Sequence, residues 1–248
     1  MLKSVIRTPQ QTAQYLCELQ QSLIEARTQP AEEMADFFAN RIDLYEDVHL
    51  GHWAEEYAHI ADYLDDSINS LLDIGCGTGL ELDAVFQRFP AIQVTGIDLS
   101  CVMLSKLKEK YSQHSLHLIE ADYFQYPFAP SDYDAALSVE TLHHFPYEKK
   151  QQIYHKLFHT LKAGGSYLEC DYYACCDEEE KLCMSEYAYR RQKAGIAADT
   201  YIHIDIPLTL THQVELMLNA GFSSVQVLYM NQGTVIVKAT KPEVCNHR

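Results

Sequence analysis

The stretch Leu71-Leu72-Asp73-Ile74-Gly75-Cys76-Gly77-Thr78-Gly79-Leu80-Glu81 carries the densest chemical signal in the chain. Apolar residues run into an acid, glycines then alternate, and a helix-like segment follows. This is the pattern of a buried strand, a tight loop and a helix start. Glycine there lets the backbone take unusual torsions and lets a ligand approach it closely. The spacing is Gly-x-Gly-x-Gly, not the Gly-x-Gly-x-x-Gly of dinucleotide binders. The Asp73 carboxylate before the loop suits a cationic ligand better than a pyrophosphate, which like charge disfavours. A second acid, Asp98, follows Val94-Thr95-Gly96-Ile97, nineteen residues after Gly79. A ribose-binding acid is expected at about 20 residues in nucleotide folds. Its carboxylate can accept charge-assisted bonds from both ribose hydroxyls. A third acid, Asp122, comes after Ile119-Glu120-Ala121 and is suited to accept from an adenine amino group.

These groups need a scaffold that brings strand ends together. Strands are read at Leu71–Ile74, Ile92–Ile97, Leu116–Glu120, Tyr133–Val139 and Ser166–Cys170. Helices are read between them at Leu80–Arg88, Cys101–Tyr111 and Glu148–Leu161. Such alternation argues for a parallel sheet covered by helices on both faces, with right-handed crossovers. Ligands in open parallel sheets bind beyond the carboxyl ends of the strands, where Asp73, Asp98 and Asp122 all lie. Upstream, helical spacing covers Thr12 to Ala26, a segment opened by Pro30 with Met34, Phe37 and Phe38, and His52 to Leu64. Downstream come a charged helix from Asp177 to Lys193, an irregular stretch, and a helix from Thr211 to Ala220 stopped by Gly221. The apolar runs Phe222–Tyr229 and Thr234–Ala239 flank Asn231-Gln232-Gly233 and read as an antiparallel hairpin.

The 248 residues suit one sizeable domain. Formal net charge is −16, from 19 Lys+Arg against 35 Asp+Glu, which makes phosphate backbones a poor default partner. No apolar run is long enough to span a bilayer, and Met1–Arg7 lacks the apolar core of a signal peptide. A cytoplasmic protein is therefore expected, in which the eight cysteines do not imply disulfides.

Taken together, the motifs resemble those of class I S-adenosylmethionine-dependent methyltransferases. Asp73-Ile-Gly75-Cys-Gly77-Thr-Gly79 resembles the first motif of that family, Asp98 its ribose acid and Asp122 its adenine-side acid. Asp132-Tyr-Asp134-Ala-Ala-Leu-Ser138-Val-Glu140 resembles the fourth-strand motif. Leu161-Lys-Ala-Gly164-Gly165 resembles the turn before the fifth strand, with Ala163 in place of the usual proline. The resemblance covers about residues 68–172 and also the terminal hairpin. It implies an α/β, Rossmann-like, seven-stranded sheet of order 3-2-1-4-5-7-6 with strand 7 antiparallel. The division expected is a helical cap over 1–66, a cofactor-binding core over 67–172, an insert or lid over 173–210, and a final helix and hairpin over 211–248. The implied cofactor is S-adenosyl-L-methionine, whose methionine portion the three glycines face. Its implied site comprises Asp73, Gly75, Cys76, Gly77, Thr78, Gly79, Asp98, Leu99, Met103, Asp122, Tyr123 and Ser138. Tyr45 and His49 either fold over that site or pack at a helix end.

The acceptor side is less specific. Glu140, His143 and His144 follow the fourth strand and should border the transferred methyl. One histidine has the proton affinity of a general base, or the group lines the cofactor pocket. His203 and Asp205 share one face if their segment is extended, and either orient a substrate or lie in a solvated loop. Tyr172 and Tyr173 either wall a substrate pocket or simply pack. Cys170, Cys175, Cys176 and Cys183 fit no zinc spacing, and no metal is expected. Glu178-Glu179-Glu180 reads as a solvated helix start. The expected activity is methyl transfer to a small molecule, with no nucleic-acid or membrane partner and a homodimer left open. Non-methylation chemistry on the same fold, and an idle cofactor-binding protein, are the rival classes.

Overall fold

The computed structural model describes residues 5–197 and 199–243. The first four residues, part of the segment in which no signal peptide was read, lie outside this range. So do Ala198 of the expected insert and residues 244–248.

Seven strands form one sheet: β1 (Ser70–Ile74), β2 (Gln93–Asp98), β3 (Leu116–Glu120), β4 (Tyr133–Val139), β5 (Leu161–Tyr172), β6 (Ser224–Asn231) and β7 (Thr234–Thr240). Their order is β3-β2-β1-β4-β5-β7-β6. The first five run parallel, while β7 is antiparallel to β5 and to β6. This is the sheet implied by the resemblance.

Period two along each strand sorts side chains to opposite faces. Leu72, Ala136, Tyr167, Val235 and Val237 enter one core, with Ile153 and Leu157 of α6 (Tyr147–Thr160) and Leu216 and Met217 of α8 (Leu210–Asn219). Leu71, Ala135, Leu137, Leu168 and Ile236 enter the other, with Leu82 and Val85 of α4 (Leu82–Arg88) and Leu107 of α5 (Cys101–Lys110). Both faces are covered, which is why the parallel strands read as continuous apolar runs.

The remaining helices build a roof. They are α1 (Pro9–Ala26), α2 (Met34–Asn40), α3 (Ile42–His59) and α7 (Asp177–Ala194). Tyr15 of α1 donates to Glu179 of α7 at 2.7 Å, and Arg27 bonds Glu186. Met34 N–H donates to Tyr201 O and His203 N–H to Glu32 O, so the start of α2 is stitched to the segment after α7. The N-terminal cap and the insert thus form one cover.

Several boundaries differ from the sequence reading. Pro30–Glu33 is extended rather than helical, because Glu33 pairs with Ile202 as a β-bridge. α3 begins at Ile42, ten residues before the expected start. Leu44, Val48 and Leu50 are exposed, so its apolar residues do not form one stripe. β5 begins at Leu161 rather than Ser166. The Lys-Ala-Gly-Gly segment is an excursion within the strand: its register to β4 jumps between Tyr133↔Leu161 and Ala135↔Ser166. The acids opening α7 are not a solvated start. Glu179 is fully buried and accepts from Tyr15, Tyr172 and the Cys175 N–H, while Glu180 accepts from Thr209 N–H and lies 2.9 Å from His212 Nδ1.

Candidate active site

The glycine loop joins β1 to α4 at the carboxyl edge of the sheet. Gly75 takes φ +67° and Gly77 φ +48°, which L side chains rarely adopt. A Cβ on Gly75 would lie 2.4 Å from Thr141 Oγ1. Asp98 straps this loop to the end of β2: its Oδ2 accepts the Gly77 N–H at 3.0 Å and its Oδ1 the Ser100 N–H at 2.8 Å. Burial pushes the Asp98 pKa up, and those two N–H groups hold it back. Behind the loop, Asp73 and Glu81 are buried together, each with one carboxyl oxygen (Oδ2 and Oε1) that finds no hydrogen-bond partner. Burial, then the neighbouring Glu81 charge, raises Asp73 well above the carboxylate range.

In front of the loop is a narrow cleft. Gly75, Gly77, Asp98, Leu99, Met103 and Tyr123 form its floor; Met34, Phe38, Tyr45, Glu140, Thr141 and His144 close it. The Tyr45 hydroxyl sits 3.2 Å from where a Cβ on Gly77 would be. Burial and the charges of Glu81, Asp98 and Glu140 push its phenol pKa far up.

A larger cavity of about 380 Å³ adjoins it. Phe37, Leu44, Val48 and Trp53 give apolar walls, and Arg41, His49, Glu140, His143, His144, His203 and Asp205 complete the lining. Phe38, Tyr45, Glu140 and His144 border both spaces.

The polar floor of this cavity is built by the chain leaving β4. Glu140 has φ +48°, an uncommon conformation for a residue with a Cβ. It turns the chain into a 3-10 turn over Leu142–His144. Asp171, near the end of β5, holds that turn by accepting the Leu142 N–H at 2.8 Å and the His143 N–H at 3.2 Å. The same carboxylate lies 2.5 Å from His143 Nδ1. Burial alone would depress His143, but Asp171 outweighs it and its pKa rises to about 9. Ile206 N–H donates to His143 O, which brings Asp205 alongside. Asp205 Oδ1 is 3.7 Å from His143 Nε2 and 3.2 Å from His144 Nδ1. Half of the Asp205 side chain is accessible, and it lines the cavity. Burial lowers His144, and burial and the His144 charge lower His203 to about 3. Burial and Asp171 push Glu140 up to about 8.

The residues singled out from the sequence separate into groups. Gly75, Gly77, Asp98, Leu99, Met103, Tyr123, Tyr45, Glu140 and His144 line the cleft. His49 lines the larger cavity instead, with Nδ1 3.1 Å from the Tyr57 hydroxyl. His203 and Asp205 do share a face, which looks into that cavity, while Ile204 and Ile206 are buried. Cys76 and Thr78 are buried behind the loop. Gly79 packs on Leu82 and Leu107. Asp122 turns to the Phe124 N–H and the Tyr201 hydroxyl, at 2.8 and 2.9 Å, and lines neither space. The Ser138 hydroxyl is buried against Tyr167, and the Tyr173 hydroxyl donates to Glu169. Tyr172 hydrogen-bonds Tyr15 and Glu179, so neither tyrosine walls the cavity. Sequence reasoning missed Asp171, Thr141, Glu81, Arg41 and Trp53 as groups around the site. Asp171 had a usable signal, since it is an acid at the end of a parallel strand like Asp98.

Comparison with known proteins agrees with this geometry. Residues 71–165 match the family model described as a methyltransferase domain. A carboxy-S-adenosyl-L-methionine synthase of Campylobacter fetus is 22% identical over 221 residues, covering 83% of this chain and 94% of that protein. A malonyl-[acyl-carrier protein] O-methyltransferase of Priestia megaterium is 28% identical, over 53% of this chain and only 46% of that protein. Human N-acetylserotonin methyltransferase, solved with its cofactor, shares the fold with a TM-score of 0.63 and 20% identity, over 95% of this chain and 68% of that one. Among the described residues, no helix is long and apolar enough to cross a membrane. Residues 71–165 thus carry a methyltransferase-type domain, and the glycine loop, strand-end acids and sheet order are those of the class I S-adenosylmethionine-dependent methyltransferase fold.

Proposed function

We propose that the cleft over the glycine loop receives S-adenosylmethionine and that the adjoining cavity holds a small, largely apolar methyl acceptor. The observation that carries this reading is the shared wall: Phe38, Tyr45, Glu140 and His144 border both spaces, so donor and acceptor would meet there. The cofactor supplies a methyl group on a sulfonium; the carbon–sulfur bond breaks with its electron pair on sulfur, and the acceptor's lone pair forms the new bond.

The chain's residues divide the work. Asp98 accepts from the ribose hydroxyls, and Gly75 and Gly77 let the methionine portion lie against bare backbone. Glu140, with an unpartnered Oε1, and Asp98 line the cleft, and a bound cation there would favour their charged forms against the burial that disfavours them. Phe37, Leu44, Val48 and Trp53 hold the acceptor, and such positioning alone is worth about 7–11 kcal/mol. The cleft offers about 60 Å³ beneath Tyr45, whereas small-molecule sites occupy roughly 300–1,000 Å³. Admission of the cofactor therefore requires the α2–α3 cover to shift.

Carboxymethyl chemistry is the second reading, favoured by the full-length similarity to the Campylobacter protein. The cavity itself speaks against a carboxylate-bearing substrate. Arg41 is its one guanidinium or ammonium group among the described residues, and Glu32 already engages it at 2.8 and 3.0 Å, while the cationic His143 is already paired with Asp171 and lies 3.7 Å from Asp205.

The test combines calorimetry with S-adenosylmethionine and product mass analysis after incubation with labelled cofactor and a panel of apolar hydroxyl, thiol and amine acceptors. A product heavier by one methyl, with S-adenosylhomocysteine formed, is expected. Carboxy-S-adenosylmethionine formed in a parallel incubation that adds carboxylate-bearing metabolites as carboxyl donors would select the second reading, and a folded protein that binds no S-adenosylmethionine would sink both.

A further inference from the structure

We propose that His143 Nε2, His144 Nδ1 and an Asp205 carboxylate oxygen form a binding site for a divalent first-row transition ion of the zinc class, on the floor of the acceptor cavity. Donor atoms from these three residues lie within 4.8 Å of one another. A tetrahedral ion with metal–ligand bonds of about 2.0–2.2 Å sets its donors about 3.3–3.6 Å apart. The measured edges to Asp205 Oδ1 are 3.2 Å from His144 and 3.7 Å from His143.

The longer of these distances and the orientation of the other fit hydrogen bonding poorly. Good N–H···O contacts fall at about 2.7–3.2 Å with near-linear geometry. The His143 separation is too long, and His144 Nδ1 has no hydrogen-bond partner although its side chain is 4% exposed. An unpartnered buried imidazole nitrogen aimed at a carboxylate and a second imidazole is costly without a ligand to satisfy it.

The surroundings match as well. A ligating histidine characteristically presents its other ring nitrogen to a carboxylate, which fixes the ring. His143 does so through Asp171, and Asp171 is itself anchored by the Leu142, His143 and Tyr172 N–H groups. Three protein ligands leave a position open, and Asp205 faces the cavity, so that position faces the acceptor. An ion there gives a hydroxyl or thiol acceptor a place to bind as its anion, the displaced proton passing to solvent. The ion's use in turnover rests on the acceptor-cavity reading, while its binding does not.

Chelator-stripped full-length protein should be titrated with Co²⁺, followed by visible absorption, and then with competing Zn²⁺. Expected is one Co²⁺ per chain with the intense bands of low coordination number, displaced by Zn²⁺. Asp205→Asn keeps all twelve histidines and should weaken Co²⁺ by at least about 100-fold, with Asp171→Asn losing about 10–100-fold. His144→Gln should also abolish the bands. If it fails to fold, Asp205→Asn decides, because that side chain is half exposed. Absence of a stoichiometric low-coordinate spectrum, or Co²⁺ affinity undiminished in Asp205→Asn, overturns the site. Calorimetry with S-adenosylmethionine on the same samples separates the two ideas: cofactor binding without Co²⁺ binding removes only the metal, and the converse removes only the cofactor reading.

Discussion

Glu169 and Glu140 sit one strand apart in the same sheet region, and their environments are opposite. Burial raises the pKa of both. Glu169 on β5 is saturated: Tyr154 and Tyr167 donate to Oε2, each at 2.7 Å, and Tyr173 and Gln213 to Oε1 at 2.6 and 2.7 Å. It knits β5, α6 and α8 together beneath the sheet. Glu140, after β4, has an oxygen with no partner, a left-handed backbone, and contact with both cavities. Burial does not separate a carboxylate that holds a fold from one kept for a ligand; the number of its donors does.

The largest effect should come from the saturated member. Glu169→Leu removes the shared acceptor of four buried donors, of which Gln213 and Tyr167 keep a second partner, and should destabilise the protein by about 3 kcal/mol or more, read by urea unfolding. Glu140→Gln should change stability by less than about 1 kcal/mol and act instead on turnover. Equal losses of stability would erase the contrast. Next, Asp98→Ala should weaken S-adenosylmethionine by about 1.5–3 kcal/mol for each charge-assisted bond lost. Unchanged affinity in a folded variant removes the ribose role. A pH series sharpens this. The accepting form of Asp98 is the carboxylate, and burial raises its pKa, so cofactor affinity should decline on acidification sooner than for an ordinary aspartate. Asp98→Asn should flatten that acid limb.

The smallest effect lies far from the site. The hydrogen bond to Glu180 raises the His212 pKa. Its folded value lies above its unfolded one, so the pair stabilises fully below the unfolded pKa and the contribution fades as pH rises through the folded one. The group is well exposed and solvent screens it, so His212→Gln should shift the melting temperature only slightly, and only on the acid side.

Much of this was legible from the residues alone. The glycine spacing, Asp98 and the alternating runs specified the sheet and the cleft, because parallel strands buried on both faces are continuous apolar segments. The pairing of His203 with Asp205 was also readable from the polar-apolar alternation, and both line the cavity although a tight turn from Ile204 N–H to Ile202 O bends the chain between its neighbours. The roof was not. α3 turns a mixture of aromatic and histidine side chains toward two cavities and leaves leucines in solvent, which defeats a periodicity search. Asp122 and Ser138 were placed by motif position, and Tyr172 and Tyr173 by the clustering of tyrosines. Their hydroxyls and carboxylate instead satisfy partners distant in sequence, such as Tyr201, Tyr167, Tyr15 and Glu169, and local patterns carry no record of those.

Trp53 interrupts α3 with φ −127° and ψ 24°. Beyond it, Glu56 and Tyr57 are buried, and Tyr229 donates to Glu56. Before it lie Tyr45, which borders both chambers, and His49, which lines the larger one. The indole donates to Thr234 at 3.0 Å, which anchors the point where the helix is broken. A single swing of the preceding three turns would unlatch both chambers at once. Were that so, any ligands of the two chambers would enter through one shared opening.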